Sequence, residues 1–120
     1  MFIRDLEDCL KITAGDNTIL HELFNPRKDN LLLRYSLAHA VVKPGQTTLK
    51  HYLHSSEVYY ILEGIGEMHI DSESEPVKAG QVVYIPPRSV QSITNPGQSD
   101  LIILCIVDPA WRAEDEEALE

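Results

Sequence analysis

The sequence predicts a single all-β domain, because short strand-like segments repeat along nearly all of its 120 residues. About eight such segments follow one another at a spacing of roughly 8–12 residues, and Pro and Gly residues separate them. Helical patterning is confined to the end of the chain. This combination is typical of a β-sandwich or β-barrel, and the length leaves no room for a second domain. We therefore expect residues 1–120 to form one domain.

The predicted strands are rich in β-branched and aromatic residues and end at turn-forming residues. In order along the chain they are 18–24, 31–42, 47–53, 57–62, 66–71, 81–85, 90–94 and 101–107. The polar residues 72–76 are predicted to form a turn. The segment 101–107 is the most apolar and is expected to be buried on both faces. A short C-terminal helix is predicted over 111–119, within an acidic, solvated tail at 111–120.

The net charge of −9 argues against nucleic acid and anionic membranes as partners, since both attract basic patches. No apolar stretch reaches the roughly 18 residues that a membrane span requires. The two cysteines, Cys9 and Cys105, form neither a disulfide framework nor a zinc pattern. Cys105 lies in an apolar run and is predicted to be a small buried hydrophobe. A cytoplasmic location is the expectation, because the first residues are too acidic for a signal peptide.

Two segments in the second half of the chain have specific residue spacings. The first has five residues between Gly45 and His51, five between His51 and Glu57, and six between Glu57 and Gly64. Side chains alternate along a strand, so His51 and Glu57 are expected to face one interior. The glycines fall at strand ends, where turns require a positive φ or a close backbone approach.

The second segment places Gly80, Pro86, Gln91 and Asn95 with five, four and three residues between them. Both segments, in this order, resemble the paired motifs of the cupin superfamily over about residues 33–108. The chain is most similar to the small single-domain members labelled mannose-6-phosphate-isomerase-like. This resemblance implies a double-stranded β-helix, or jelly-roll β-barrel, preceded by the strand at 18–24.

Family members usually hold a divalent metal with three histidines and one glutamate. The resemblance therefore implies a metal site at His51 and Glu57, with Gln91 as a neutral oxygen donor and Zn, Mn, Fe or Ni as the metal. The site is incomplete, because Leu53 stands where a second histidine is usual and Gln91 where a third is usual. His54 is a further candidate ligand, if a bulge turns it inward; otherwise it is a surface turn residue.

Tyr59 follows Glu57 by two residues, so it is predicted to face the same cavity as a catalytic or core tyrosine. Three functions remain open at this point. The first is an isomerase- or epimerase-like enzyme with a weakly held metal and a sugar-like substrate. The second is a metal-free acid–base enzyme that uses Glu57 and Tyr59. The third is a non-catalytic metabolite-binding module. Each takes a small molecule in the barrel cavity as partner. The resemblance also implies a homodimer.

Overall fold

The computed structural model describes residues 1–13 and 18–119, which form two antiparallel β-sheets. In spatial order, the six-stranded sheet contains β1 (Lys11–Thr13), β2 (Ile19–Phe24), β3 (Ser36–Val42), β10 (Leu101–Asp108), β5 (Ser56–Glu63) and β8 (Val82–Ile85). The five-stranded sheet contains β11 (Glu116–Ala118), β4 (His51–Leu53), β9 (Gln91–Thr94), β6 (Ile65–Ile70) and β7 (Glu73–Lys78). This architecture confirms the predicted jelly roll. No helix within the described ranges is long and apolar enough to cross a membrane.

The buried core lies between the two sheets, because the strands of both direct alternate residues inward. Ile61 and Ile103 contribute from the six-stranded sheet, and Met68 and Ile93 contribute from the other. Strand β10 was expected to be buried on both faces, and only half of this prediction is correct. Its odd-numbered residues are buried, whereas its even-numbered residues are partly exposed on the outer face of the sheet.

The turn residues of the two sequence motifs hold the strand ends in place. Gly45, Gly64 and Gly80 have φ of +77°, +87° and +90°, a region that non-glycine residues rarely adopt. A Cβ atom on Gly64 would lie 2.7 Å from the carbonyl oxygen of Asp100. Asn95 is fully buried, and its Nδ2 donates to the carbonyls of Val42 and Ser99, both at 2.8 Å. These positions are therefore structural.

Two predicted strands are shorter than expected. In each case a side chain interrupts the hydrogen bonds between neighbouring strands. Strand β3 begins at Ser36 instead of residue 31, because its partner β10 ends before Pro109, which has no N–H to donate. The segment 47–53 is a regular strand only from His51. Before His51, the Thr48 hydroxyl accepts a hydrogen bond from the Ile93 N–H at 2.9 Å. This side-chain contact interrupts the backbone hydrogen bonding between the two segments.

Strand β7 was missed because its sequence is polar on both faces. It pairs with β6 at the edge of the five-stranded sheet, where all of its residues except Val77 are exposed, and it contains Pro76. The hairpin turn lies earlier than predicted, at Asp71, whose φ is +52°. The prediction of a turn over 72–76 is therefore wrong.

The predicted C-terminal helix over 111–119 is wrong. A single 3-10 turn, Ala113–Asp115, is followed by β11, which pairs with β4. A helix this short has little stability of its own, and pairing covers an otherwise open sheet edge. The strand predicted over 18–24 is present as β2, which pairs with β3 of the same chain and covers the edge of that strand. Association into a homodimer stays a prediction.

Candidate acid–base site

A cavity of about 240 Å³ lies between the sheets and contains the chemical residues of the first motif. His51 and Leu53 reach it from β4, and Glu57 and Tyr59 reach it from β5. This shared orientation confirms the strand-parity prediction for these four residues. Most of the remaining wall is apolar, so polar side chains are few and their positions matter.

Glu57 is a strongly perturbed ionisable group of the cavity wall. Its residue is 6% exposed, and burial raises the pKa of its carboxyl to about 8, with a smaller contribution from the charge of Glu116. A hydrogen bond from the Gln91 side chain opposes part of this rise. The Oε1 atom of Glu57 is buried and has no hydrogen-bond partner. At neutral pH the carboxyl is therefore mostly protonated, and it has bonding capacity to offer a ligand.

Gln91 connects the two residues of β5. It is 1% exposed, and its Oε1 accepts a hydrogen bond from the Tyr59 hydroxyl at 3.0 Å. Because the amide oxygen faces Tyr59, the amide nitrogen is the atom available to donate to Glu57. Gln91 is not among the residues that line the cavity. We interpret it as the residue that positions the carboxyl.

His51 lies on the opposite wall. Its Nδ1 is 2.9 Å from the carbonyl oxygen of Leu49, a contact that fixes the ring and leaves Nε2 for a ligand. Its Cα atom is in register with that of Gln91 on β9. The structure therefore brings His51, Glu57, Gln91 and Tyr59 into one region.

The structure does not bring His54 into this region. Its side chain is 42% exposed, its Nδ1 is 4.0 Å from an Asp115 carboxylate oxygen, and its ring stacks on Tyr52. This is the surface turn position that strand parity favours. The position of His54 therefore does not agree with the alternative in which a bulge turns it into the cavity.

The donor set fits a firmly held divalent metal poorly. Among the described residues, no group of three or more His, Cys, Asp and Glu side chains is arranged to hold an ion. Leu53 occupies a ligand position with an apolar side chain, and the Gln91 oxygen already accepts from Tyr59. No reaction step at this site is therefore assigned to a metal.

Sequence reasoning missed a cluster of charged and aromatic side chains in the cavity lining, which we call the charged cluster: Glu22, Lys28, Trp111 and Glu116. Lys28 Nζ lies 2.8 Å from Glu22 Oε1 and 5.7 Å from the centre of the Trp111 ring. Trp111 Nε1 donates to Glu116 Oε1 at 3.3 Å. Strand parity with Leu20 was a usable signal for Glu22. Glu116 had no such signal, because its segment was predicted to be helical.

Comparison with known proteins places this chain in a family. A family model described as the cupin domain matches residues 38–107. An uncharacterized protein of Methanocaldococcus jannaschii is 45% identical over 109 residues, which cover 88% of this chain and 84% of that protein. Mannose-1-phosphate guanylyltransferase 2 of Escherichia coli O157:H7 is 27% identical over 95% of this chain, but the match spans only 25% of that enzyme.

Solved structures agree on the fold. A cupin 2 conserved barrel domain protein of Salinispora arenicola has a TM-score of 0.77 and 25% identity, covering 95% of this chain and 91% of that one. A Streptomyces nucleoside dehydratase has a TM-score of 0.82 and 17% identity, covering 100% and 92%. The relatives carry varied functions, so the shared barrel does not by itself select a reaction.

Proposed function

This chain belongs to the cupin domain family, and we propose that its barrel cavity binds a small organic molecule and exchanges protons with it at Glu57, without needing a metal. The proposal is the acid–base alternative raised by the sequence, with an isomerase- or epimerase-like outcome. One observation carries it. The Glu57 carboxyl is buried in the cavity wall, has a pKa of about 8, and has an Oε1 atom without a hydrogen-bond partner.

A carboxyl with this pKa exists in both protonation states near neutral pH, which suits a group that gives and takes protons. The protonated form donates its proton to a ligand carbonyl oxygen. The resulting carboxylate takes a proton from the carbon next to that carbonyl. Glu57 ends protonated and the ligand becomes an enol, which returns to a carbonyl compound by the reverse transfers.

The neighbouring residues hold Glu57 in position. The Tyr59 hydroxyl donates to Gln91 Oε1 and thereby orients the amide toward the Glu57 carboxyl. This chain of hydrogen bonds is buried, where each bond is stronger and more directional than in water. His51 faces the ligand from the other wall, with the Nδ1 contact to Leu49 fixing its ring. We assign it the role of orienting the ligand oxygen.

The test is solvent deuterium exchange at the carbons next to a carbonyl, followed by proton NMR. Dihydroxyacetone and cyclohexanone serve as a polar and an apolar probe. We expect the protein to accelerate exchange in at least one probe, and Glu57→Gln to reduce that acceleration by about 100-fold or more. Glu117→Gln is the matched control, because Glu117 is exposed and does not line the cavity. Unchanged exchange in Glu57→Gln, or no exchange with either probe, would overturn the proposal.

The metal-dependent alternative makes a different prediction. If a metal at His51 and Glu57 supported the reaction, incubation with Zn²⁺, Mn²⁺, Fe²⁺ or Ni²⁺ followed by desalting would leave about one equivalent bound, and His51→Ala would remove it. We expect elemental analysis to find well under one equivalent in both proteins. The non-catalytic alternative is distinguished by ligand-induced stabilisation without any proton exchange.

A further inference from the structure

The cavity is polar at one end and apolar at the other, and the strand registers show how this gradient arises. Along the inner face of the six-stranded sheet, Ser36, Val107 and Glu57 are neighbours across β3, β10 and β5. Four residues further along β3, Leu20, Ala40 and Ile103 are neighbours across β2, β3 and β10. At a strand rise of about 3.3 Å per residue, the two rungs lie roughly 13 Å apart.

We call the first rung the acid end and the second the apolar end. The apolar end is extended by Val42 and Ile93, both about 1% exposed. Of its two lining threonines, Thr48 already uses its hydroxyl to accept from the Ile93 N–H. Thr18 is the other. An occupant of this end therefore meets almost continuous hydrocarbon.

The charged cluster lines the cavity near the acid end. Trp111 N donates to Ser36 Oγ at 2.9 Å, which fixes the tryptophan beside the rung that contains Glu57. Glu116 lines the same cavity as Glu57 and is in register with Leu53 of β4. The Lys28 side chain is 57% exposed. A ligand whose head group meets Glu57 extends its far end toward the apolar rung.

We infer that the ligand is a small amphipathic molecule with one polar head and a compact hydrocarbon body, and not a polyol such as a sugar. The inference rests on the proposed proton transfer, since the head is the carbonyl or hydroxyl that meets Glu57. A sugar would bury several hydroxyls at the apolar end without partners, and each unpaired hydroxyl in a protein interior lowers the affinity of the ligand. This replaces the sugar-like substrate that the family resemblance implied.

The volume agrees with this ligand class. Pockets for drug-sized molecules measure about 300–1,000 Å³, and this cavity measures about 240 Å³. Glu57 and His51, which face the interior from opposite walls, are sufficient to orient a single head group. Specificity then comes from rejecting hydroxyls along the body, because buried polar atoms of the wrong ligand are left unpaired.

Cyclohexanol and myo-inositol form a matched pair of probes, since both have a six-carbon ring and they differ only in the number of hydroxyls. Binding is measured by titrating each compound into the full chain and following protein amide chemical shifts. We expect cyclohexanol to bind at least about tenfold more tightly than inositol. Equal or tighter binding of inositol, or no binding of cyclohexanol at high millimolar concentration, would overturn the inference.

Two variants locate the hydrocarbon body. Leu20→Asn places an amide at the apolar end, whereas Ile19→Asn makes the same change on the adjacent residue, which points to the outer face of the sheet. Leu20→Asn is expected to weaken cyclohexanol binding about tenfold, and Ile19→Asn to leave it unchanged. Equal effects would contradict the assignment. If Leu20→Asn does not fold, the affinity ratio in the unmodified protein still decides.

The outcomes separate this inference from the proposed function. Exchange at dihydroxyacetone that depends on Glu57, together with tight inositol binding, would retain the proton transfer and reject the amphipathic ligand. The opposite result is cyclohexanol binding that depends on Leu20, together with deuterium exchange that is unchanged in Glu57→Gln. It would retain the amphipathic ligand and reject the proposed proton transfer.

Discussion

The two walls of the cavity differ in how firmly their chemical residues are held. Glu57 and Tyr59 lie on β5, an eight-residue strand paired with β10 on one side and β8 on the other. His51 lies on β4, a three-residue strand with a single register pair to β9, supported on its other side by β11. The β5 wall is rigid and carries the buried acid; the β4 wall is short and carries the ligand-facing histidine.

This difference explains why the site has acid–base character. A long ladder on both sides keeps Glu57 buried, and burial is the largest cause of its raised pKa. A short strand held by a C-terminal segment exerts less control over its side chains. A metal would need several ligands held equally well on both walls, whereas proton transfer needs one well-placed carboxyl.

The largest expected effect concerns the pH dependence of stability. The Glu57 pKa is about 8 in the folded protein and near 4.5 when unfolded, so between these values the unfolded state releases a proton that the folded state keeps. The free energy of unfolding therefore falls as pH rises from about 4.5 to 8 and then levels off. The total fall from this group is on the order of 5 kcal/mol at most.

Glu57→Gln should remove this component, so the variant gains stability relative to the parent as pH rises. Urea unfolding at a series of pH values measures the difference, in which the other titrating groups cancel. Glu117→Gln again provides the control, since its carboxyl is exposed. Parallel profiles for the parent protein and Glu57→Gln would mean that the Glu57 pKa is not raised.

Tyr59→Phe is expected to have the next largest effect. It leaves the Gln91 oxygen without its partner in a buried position, which costs about 1–3 kcal/mol. The Gln91 amide then loses its fixed orientation, so exchange at Glu57 should fall by about tenfold while the fold persists. Tyr60→Phe is the matched control, because Tyr60 lies next along β5 and is 41% exposed on the outer face. Equal losses in both variants would contradict the positioning role.

The sequence predicted the rigid wall better than the short one, for physical reasons. Alternation along β5 was enough to place Glu57 and Tyr59 inside, because a strand paired on both sides follows its regular period. The β4 wall depends on β11, whose polar sequence has no strand pattern and forms a strand only by pairing with a partner distant in sequence. The hydrogen bond between Tyr59 and Gln91 joins residues 32 positions apart, and spacing alone does not reveal such a contact.

His51→Ala should have a smaller effect on stability than either change on β5. His51 is only partly buried, and its Nδ1 contacts the carbonyl oxygen of Leu49 two residues away, so we expect a loss of about 1 kcal/mol or less. Its effect should fall on ligand affinity, because it orients the ligand oxygen from the β4 wall. Titration of cyclohexanol into the variant checks this. A loss of exchange with unchanged affinity would make His51 a proton-transfer residue instead.

The smallest expected effect is on the pKa of Glu57, and it comes from a charge on the opposite wall. Glu116 on β11 faces the cavity, and its charge is a minor cause of the raised Glu57 pKa. Glu116→Gln should therefore lower the Glu57 pKa slightly, whereas Glu117→Gln should not, because adjacent residues of a strand face opposite sides. Carbon-13 NMR titration of the Glu57 carboxyl resolves the two cases. An equal fall in both variants would show that the tail acts through its total charge, and a fall only in Glu116→Gln would show that β11 places one carboxylate against the buried acid.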